Sequence, residues 1–294
     1  LSRDRFGEKP LYYFLKDKNF FFSSEIKSLS ALSSKKFKIN FEKIEEFLKN
    51  GYKSSFKDKN LFFKDVFQIK PGSLFIVYKN KKTKSIDYWK KKRKISNKKI
   101  TYRKIVEKNK TNLIRSVKLR TRSDVPIGFC MSSGVDSNGL ISIAKKKLKQ
   151  NIIGYNIYSK NKNYDEYGLT NKSAKKLNIK LKLVKVPRTN FLRNLKKIIQ
   201  SRGYPLFTIS YFLHWFMMKQ MKKDKIKVSI SGSAADEIYS GYIDHFNQYF
   251  YQIKSDKALL NKTKSDWQRY FLKFIQNKNL RKYDLYFRNK NFRD

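Results

Sequence analysis

Two short loops in this chain combine small residues, hydroxyls and acids in a way that suits phosphate chemistry. The first is Ser132, Ser133, Gly134, Val135, Asp136 and Ser137. It follows an apolar run ending at Met131 and leads into a helical stretch that starts at Ser137. A strand, a small-residue turn and a helix N-terminus together make an anion site. Backbone N–H groups point outward there, and the helix dipole favours negative charge. The serines add hydroxyl donors, and Gly134 permits close approach to the backbone. Asp136 would repel a phosphate unless a magnesium ion lies between them. The plainer reading is a serine-rich helix start with an ordinary first-turn acid.

The second loop is Ser231, Gly232, Ser233, Ala234, Ala235, Asp236 and Glu237, directly after an apolar run ending at Ile230. Gly232 would let the backbone approach a nucleotide base or ribose. Asp236 is a second candidate metal carboxylate. Glu237 either orients it or caps the next helix. A tight turn followed by first-turn acids explains the same residues without a ligand. The two loops are far apart in the chain, with room for several strands and helices between them.

Other chemistry is poorly supported. No G-x-x-x-x-G-K-S/T run is present, so the first loop is not of the Walker type. Cys130 is the single cysteine, which excludes an internal disulfide and an all-cysteine metal site. His214 and His245 are too few for a His-rich metal site and read as structural.

The elements that would position the loops alternate. Residues 102–117 have a helical period, and residues 125–131 suit a buried strand. Helices are expected at 137–148, 166–177, 190–201 and 210–221, with strands at 152–158, 181–186 and 227–230. Leu140, Ile141 and Ala144 share a face of the first of these helices. Thr189 is the expected N-cap of the third. The fourth is apolar and expected to be buried. Strands separated by helices imply right-handed crossovers and a parallel sheet, with the ligand crevice at the carboxyl ends of its strands. Residues 1–95 read instead as β-rich. Strands are expected at 10–14 and 19–23 around a turn at Lys16, Asp17 and Lys18, and at 73–78 after the Pro71-Gly72 turn. A short helix fits 41–48, and the basic stretch 90–99 suits a linker.

Composition bounds the class. The 294 residues allow one or two domains, and 40% apolar residues suffice for a core. No apolar run reaches the roughly 18 residues of a membrane helix. The net charge of +46 invites a nucleic-acid reading, but Arg supplies only 14 of the 69 basic residues. Base reading and bidentate phosphate clamps favour Arg. The scattered lysines therefore read as a solvated surface with salt-dependent, sequence-blind affinity for polyanions. Leu1 is not an initiator Met and the last residues lack tail character, so the chain reads as a fragment of a longer protein.

Together these residues resemble the asparagine synthase family. Residues 132–137 are similar to its pyrophosphate loop, usually S-G-G-x-D-S. SGSAADEIYSGY at 231–242 resembles its second signature, usually SGEGADELFGGY. Val125-Pro126-Ile127-Gly128 resembles the V-P-x-G lead-in strand, and Tyr164-Asp165-Glu166 a frequent Y-D-E. RDRFGEKPLYY at 3–13 and SEIKSL at 24–29 resemble the end of the family's glutaminase domain. The resemblance implies an α/β, parallel-sheet, adenine-nucleotide α-hydrolase-like domain at 101–294, incomplete at its C-terminus. Before it, at 1–95, would come the β-rich tail of an N-terminal-nucleophile glutaminase domain.

The family's activity is ATP-dependent conversion of aspartate to asparagine through β-aspartyl-AMP and pyrophosphate, with ammonia from glutamine. The resemblance therefore implies ATP and Mg²⁺, with aspartate and glutamine or ammonia as small-molecule partners. No specific nucleic acid and no membrane are expected as partners, the expected setting is cytoplasmic, and a homodimer is one of the oligomeric states left open. Carried over, Ser132, Ser133, Gly134, Val135, Asp136 and Ser137 would hold pyrophosphate. Asp136 and Asp236 would be the metal carboxylates and, with Glu237, the catalytic acids. Met131 and Ile157 would meet adenine through backbone groups, although both also suit the core. Ser231 and Gly232 would contact base, ribose or α-phosphate.

Three departures matter. Ser133 replaces a glycine. Ser233 and Ala234 replace Glu-Gly, and that glutamate assists the ammonia step in the family. Serine has no comparable basicity near pH 7. The family's N-terminal cysteine nucleophile is missing, and Cys130 has no free α-amino group to replace it. The altered signature leaves open a relative that amidates another carboxylate, such as a sugar acid or secondary metabolite. It also leaves open a non-catalytic nucleotide- or polyanion-binding protein.

Overall fold

The computed structural model describes residues 1–16, 19–52, 55, 60–80, 82–90, 100–158, 165–187, 189–275 and 277–291. Asp17 and Lys18 of the expected first turn, all but Lys90 of the expected linker, and Tyr164 of the Y-D-E run lie outside them. The chain divides into two compact units. The first contains residues 1–116, 155–165 and 182–227, and the second contains residues 117–154, 166–181 and 228–294.

The first unit begins with β1 (Tyr12–Lys16), β2 (Asn19–Ser23), α1 (Ile26–Leu32) and α2 (Phe41–Asn50), then β3 (Val66–Gln68), β4 (Ser73–Val77) and β5 (Thr83–Asp87). β1 pairs antiparallel with β2 and with β3, with Phe14 opposite Phe21 and Val66. Successive side chains of a strand face opposite ways. Phe14 therefore enters a core with Ile26, Leu29 and Val66, while Tyr13 enters another with Ile69 and Phe75. The Tyr13 and Phe75 rings lie 4.5 Å apart. Arg3 is buried and donates to the carbonyls of Gly7, Lys9 and Ile69, which closes the chain start over this sheet. The helix α1 had no counterpart in the sequence reading, because its seven residues are too few to show a period.

The alternating elements follow as α3 (Tyr102–Arg120), β6 (Ile127–Cys130), α4 (Val135–Ser142), β7 (Ile153–Tyr158), α5 (Tyr167–Leu177), β8 (Lys180–Lys185), α6 (Phe191–Arg202), α7 (Ile209–Lys223) and β9 (Val228–Ile230). The sheet order is β8-β7-β6-β9, and β6 and β9 are parallel, with Ile127 opposite Val228 and Phe129 opposite Ile230. This is the expected α/β arrangement.

Three local expectations need correction. The helix expected from Ser137 starts at Val135 and changes to a π-turn over Ile143–Lys147. Thr189 is not the N-cap of α6. Asn190 takes that place in a left-handed backbone with φ of 60°, and its side chain makes no capping bond. Asparagine tolerates this conformation better than a β-branched threonine does. Helix α7 is buried only in part, through Phe212, Met217 and Met221, while Ile209 and Tyr211 are exposed.

After β9 the second unit continues through α8 (Ala235–Tyr239), α9 (Ile243–Gln252), α10 (Lys257–Tyr270) and α11 (Leu285–Arg288). Phe250, Trp267, Ile275 and Leu280 form a core among the helices and turns of this segment.

Candidate active site

Because β6 and β9 are parallel neighbours, the loops that leave their carboxyl ends emerge side by side. The contact between them is close. A methyl group added at Gly232 would lie 2.9 Å from Asp136 Cβ and from the Ser137 backbone nitrogen. Only a residue without a side chain lets the second loop sit so near the first. Both loops belong to the second unit.

The first loop is held by its own hydroxyls and by Asn138. The Ser132 and Ser137 hydroxyls are 2.9 Å apart. Ser137 Oγ accepts from the Ser132 N–H at 3.2 Å, and Ser132 Oγ accepts from the Gly134 N–H at 3.2 Å. Asn138 Nδ2 donates to the Ser132 and Gly134 carbonyls at 2.9 and 2.8 Å. The sequence reading passed over Asn138, although an amide one helical turn past a glycine N-cap is a recognisable cue. From outside the loop, Glu166 Oε2 accepts the Ser133 N–H at 2.8 Å. Gly134 caps α4 without a side-chain hydrogen bond. The first-turn amides of α4 thus have no side-chain cap, the arrangement that receives an anion. Gly134, Val135 and Asp136 are exposed, and Ser137 is buried.

The second loop is held differently. The Ser231 hydroxyl donates to Ser233 Oγ at 3.1 Å, and Ala235 N–H reaches the Gly232 carbonyl at 3.4 Å. The Asp236 carboxylate lies against Gly241, where a methyl group would run into its Oδ1. Glu237 accepts from the Tyr242 hydroxyl at 2.8 Å, so it tethers the signature's end rather than capping a helix. His245 Nδ1 accepts the Gly241 N–H at 3.2 Å, which places the neutral imidazole proton on Nε2. That contact gives His245 a structural role.

The remaining predicted residues sit in the strands. Met131 is buried, with its sulfur against Gly154. Ile157 lies half-buried in β7, in the part that belongs to the first unit. Burial pushes the Cys130 thiol up to about 11, so it stays protonated at neutral pH. Among the described residues, no three His, Cys, Asp or Glu side chains gather to hold a metal. Asp136 and Asp236 remain as the two loop carboxylates. Magnesium is ordinarily held by one or two carboxylates together with substrate phosphates, so this donor set fits an ion that arrives with a nucleotide.

Residues 109–293 match the family model described as asparagine synthase, and residues 1–89 match one described as a glutamine amidotransferase domain. The chain belongs to the asparagine synthase family.

Relatives bear on its extent. A Methanocaldococcus jannaschii protein provisionally named glutamine-hydrolyzing asparagine synthetase 2 is 28% identical, over 84% of this chain and 48% of its own length. Glutamine-hydrolyzing asparagine synthetase 1 of Bacillus subtilis is 27% identical, over 82% of this chain and 37% of its own. Amidase chyE of Penicillium rubens is 24% identical, over the same shares. This asparagine synthase family chain therefore spans less than half the length of these curated relatives. An NH3-dependent NAD synthetase from Campylobacter jejuni aligns with a TM-score of 0.32 and 13% identity, over 61% of this chain and 99% of that one. A likeness that weak carries no weight.

Set against the family's usual signature, Ala234 and Ser240 stand where glycines are expected. Both adopt left-handed backbones, with φ of 72° and 67°. Ser240 combines that φ with a ψ of 151°, a region that is essentially glycine-only. The backbone keeps a glycine-type path at both positions although neither residue is glycine.

Proposed function

We propose that this chain forms part of an ATP-dependent amide-forming ligase that makes asparagine from aspartate. The observation that carries the reading is the contact of Gly232 with Asp136 and Ser137, which joins the two signature loops at one end of the sheet.

In the proposed reaction an aspartate side-chain carboxylate attacks the α-phosphorus of ATP. The bond to the pyrophosphate oxygen breaks as the bond to the carboxylate oxygen forms. Negative charge builds on the leaving pyrophosphate. The α4 amides and the Ser132 and Ser137 hydroxyls would receive that charge from fixed positions, where donors need no reorganisation. Asp136 and Asp236 would hold Mg²⁺, which when bound neutralises phosphate charge. Ser231 and Gly232 would lie along the ribose or α-phosphate, and the Met131 backbone along adenine. Ammonia then attacks the acyl carbon, AMP leaves, and the nitrogen loses a proton. The amidotransferase match at residues 1–89 supports glutamine as the ammonia source.

One observation favours a second acceptor. Ser233 stands at the position of the glutamate that assists amidation in the family, so the adenylation machinery is better represented here than the amidation machinery. A relative acting on a different carboxylate would share that imbalance.

ATP–pyrophosphate exchange by the full-length protein tests both readings. Exchange is expected with aspartate present. Exchange with another acid and none with aspartate would replace the first reading by the second. Asp136→Ala is expected to lower exchange by about 10²–10³-fold. Retained exchange in that variant would remove Asp136 from the site.

A further inference from the structure

We propose that Glu166 is a positioning residue for the first loop, its carboxylate fixing the Ser133 amide so that the phosphate-binding donors keep their geometry. The proposal rests on reading residues 132–137 as the phosphate loop.

The loop's inner hydrogen bonds tie it only to itself and to the start of α4. Ser132, Ser137 and Asn138 close a local ring, and its hydrogen bonds reach no residue beyond the loop and the first turn of α4. The Glu166 contact comes from a different element, and it is short and charge-assisted at 2.8 Å. Its base is firm. The Glu166 carbonyl accepts the Thr170 N–H at 2.9 Å, and α5 is anchored by the buried Thr170, Ala174 and Leu177. A carboxylate standing on the head of one helix thus braces the turn at the head of another.

The same contact affects which donors a ligand meets. With the Ser133 N–H engaged, phosphate oxygens fall to the α4 first-turn amides and to the two serine hydroxyls. A carboxylate beside Ser133 also repels a second anion there.

The test uses full-length protein with Glu166→Ala and Glu166→Gln. Three quantities are read: magnesium pyrophosphate affinity by calorimetry, KM and kcat for ATP in exchange, and hydrogen exchange at the Ser133 amide. Alanine removes the acceptor, whereas glutamine keeps a carbonyl that can take the same N–H. Alanine is expected to weaken pyrophosphate binding and raise KM for ATP by about tenfold, with kcat changed less. It is also expected to speed exchange at Ser133. Glutamine is expected to restore all three. The proposal fails if alanine binds pyrophosphate as tightly as the unaltered protein, or if Ser133 exchange does not change. If the unaltered protein binds no pyrophosphate, the phosphate-loop reading fails instead. The Ser133 exchange rate then still decides whether Glu166 braces the turn.

Discussion

Residues 132–137 and 231–242 leave neighbouring parallel strands, yet they are held in opposite ways. The first loop is stitched by hydroxyls, by the Asn138 amide and by the Glu166 carboxylate, with its glycine in an extended backbone. The second has longer hydrogen bonds near its start and two non-glycine residues at left-handed angles. It keeps its place by leaning on the first, through Gly232 against Asp136. In the proposed reaction the first turn would present fixed donors to a charged leaving group, which calls for stiffness of its own, and the second would meet the ligand through its backbone, which can borrow position from a neighbour. The departures from the family pattern fall mainly on the second turn, where Ser233 also removes a carboxylate.

The largest expected effect comes from separating the loops. Gly232→Ala puts a methyl group 2.9 Å from backbone and Cβ atoms that cannot swing aside. About 1–3 kcal/mol of stability should be lost, together with most ATP–pyrophosphate exchange. A denaturant midpoint equal to that of the unaltered protein would show that the loops do not lean on each other. Restoring glycine is the next test. Ala234→Gly and Ser240→Gly should each stabilise by about 1 kcal/mol, because a left-handed backbone costs a side chain roughly that much. Thermal unfolding would show a small rise for each, and a fall would mean that neither residue is strained. The smallest effect concerns the strand that enters the first loop. Burial raises Cys130 from an ordinary 9.0 to about 11, so the fold favours the protonated thiol. That contribution is complete below pH 9 and is lost as pH climbs toward 11. Alkylation of the native protein at pH 8 should be much slower than that of a free thiol. Rapid labelling would mean that β6 opens at its end.

Much of the site was legible because its residues are local. A strand, a turn of small residues and a helix start occupy consecutive positions, so both loops could be picked out before their neighbours were known. The helix ends were less legible. The start of α4 moved from Ser137 to Val135 because an extended Gly134 can cap a helix without a side chain. Asn190 displaced Thr189 because backbone sign, not hydroxyl chemistry, decided that cap. Helix α1 escaped because its seven residues complete barely two turns. Asn138 and Glu166 were visible as letters, but their partners were not.

The amino-acid sequence by itself determined the alternation of strands and helices, the two acid-bearing loops and the family. The alternation and the loops follow from periodicity and spacing along a continuous backbone, and the family from the likeness of whole signature runs. Only the tertiary structure decided that β6 and β9 are neighbours, that Gly232 rests on Asp136, and that Glu166 reaches Ser133. Those facts depend on which distant segments pack together, and packing is settled by shape and hydrogen-bond geometry that no local pattern of residues encodes.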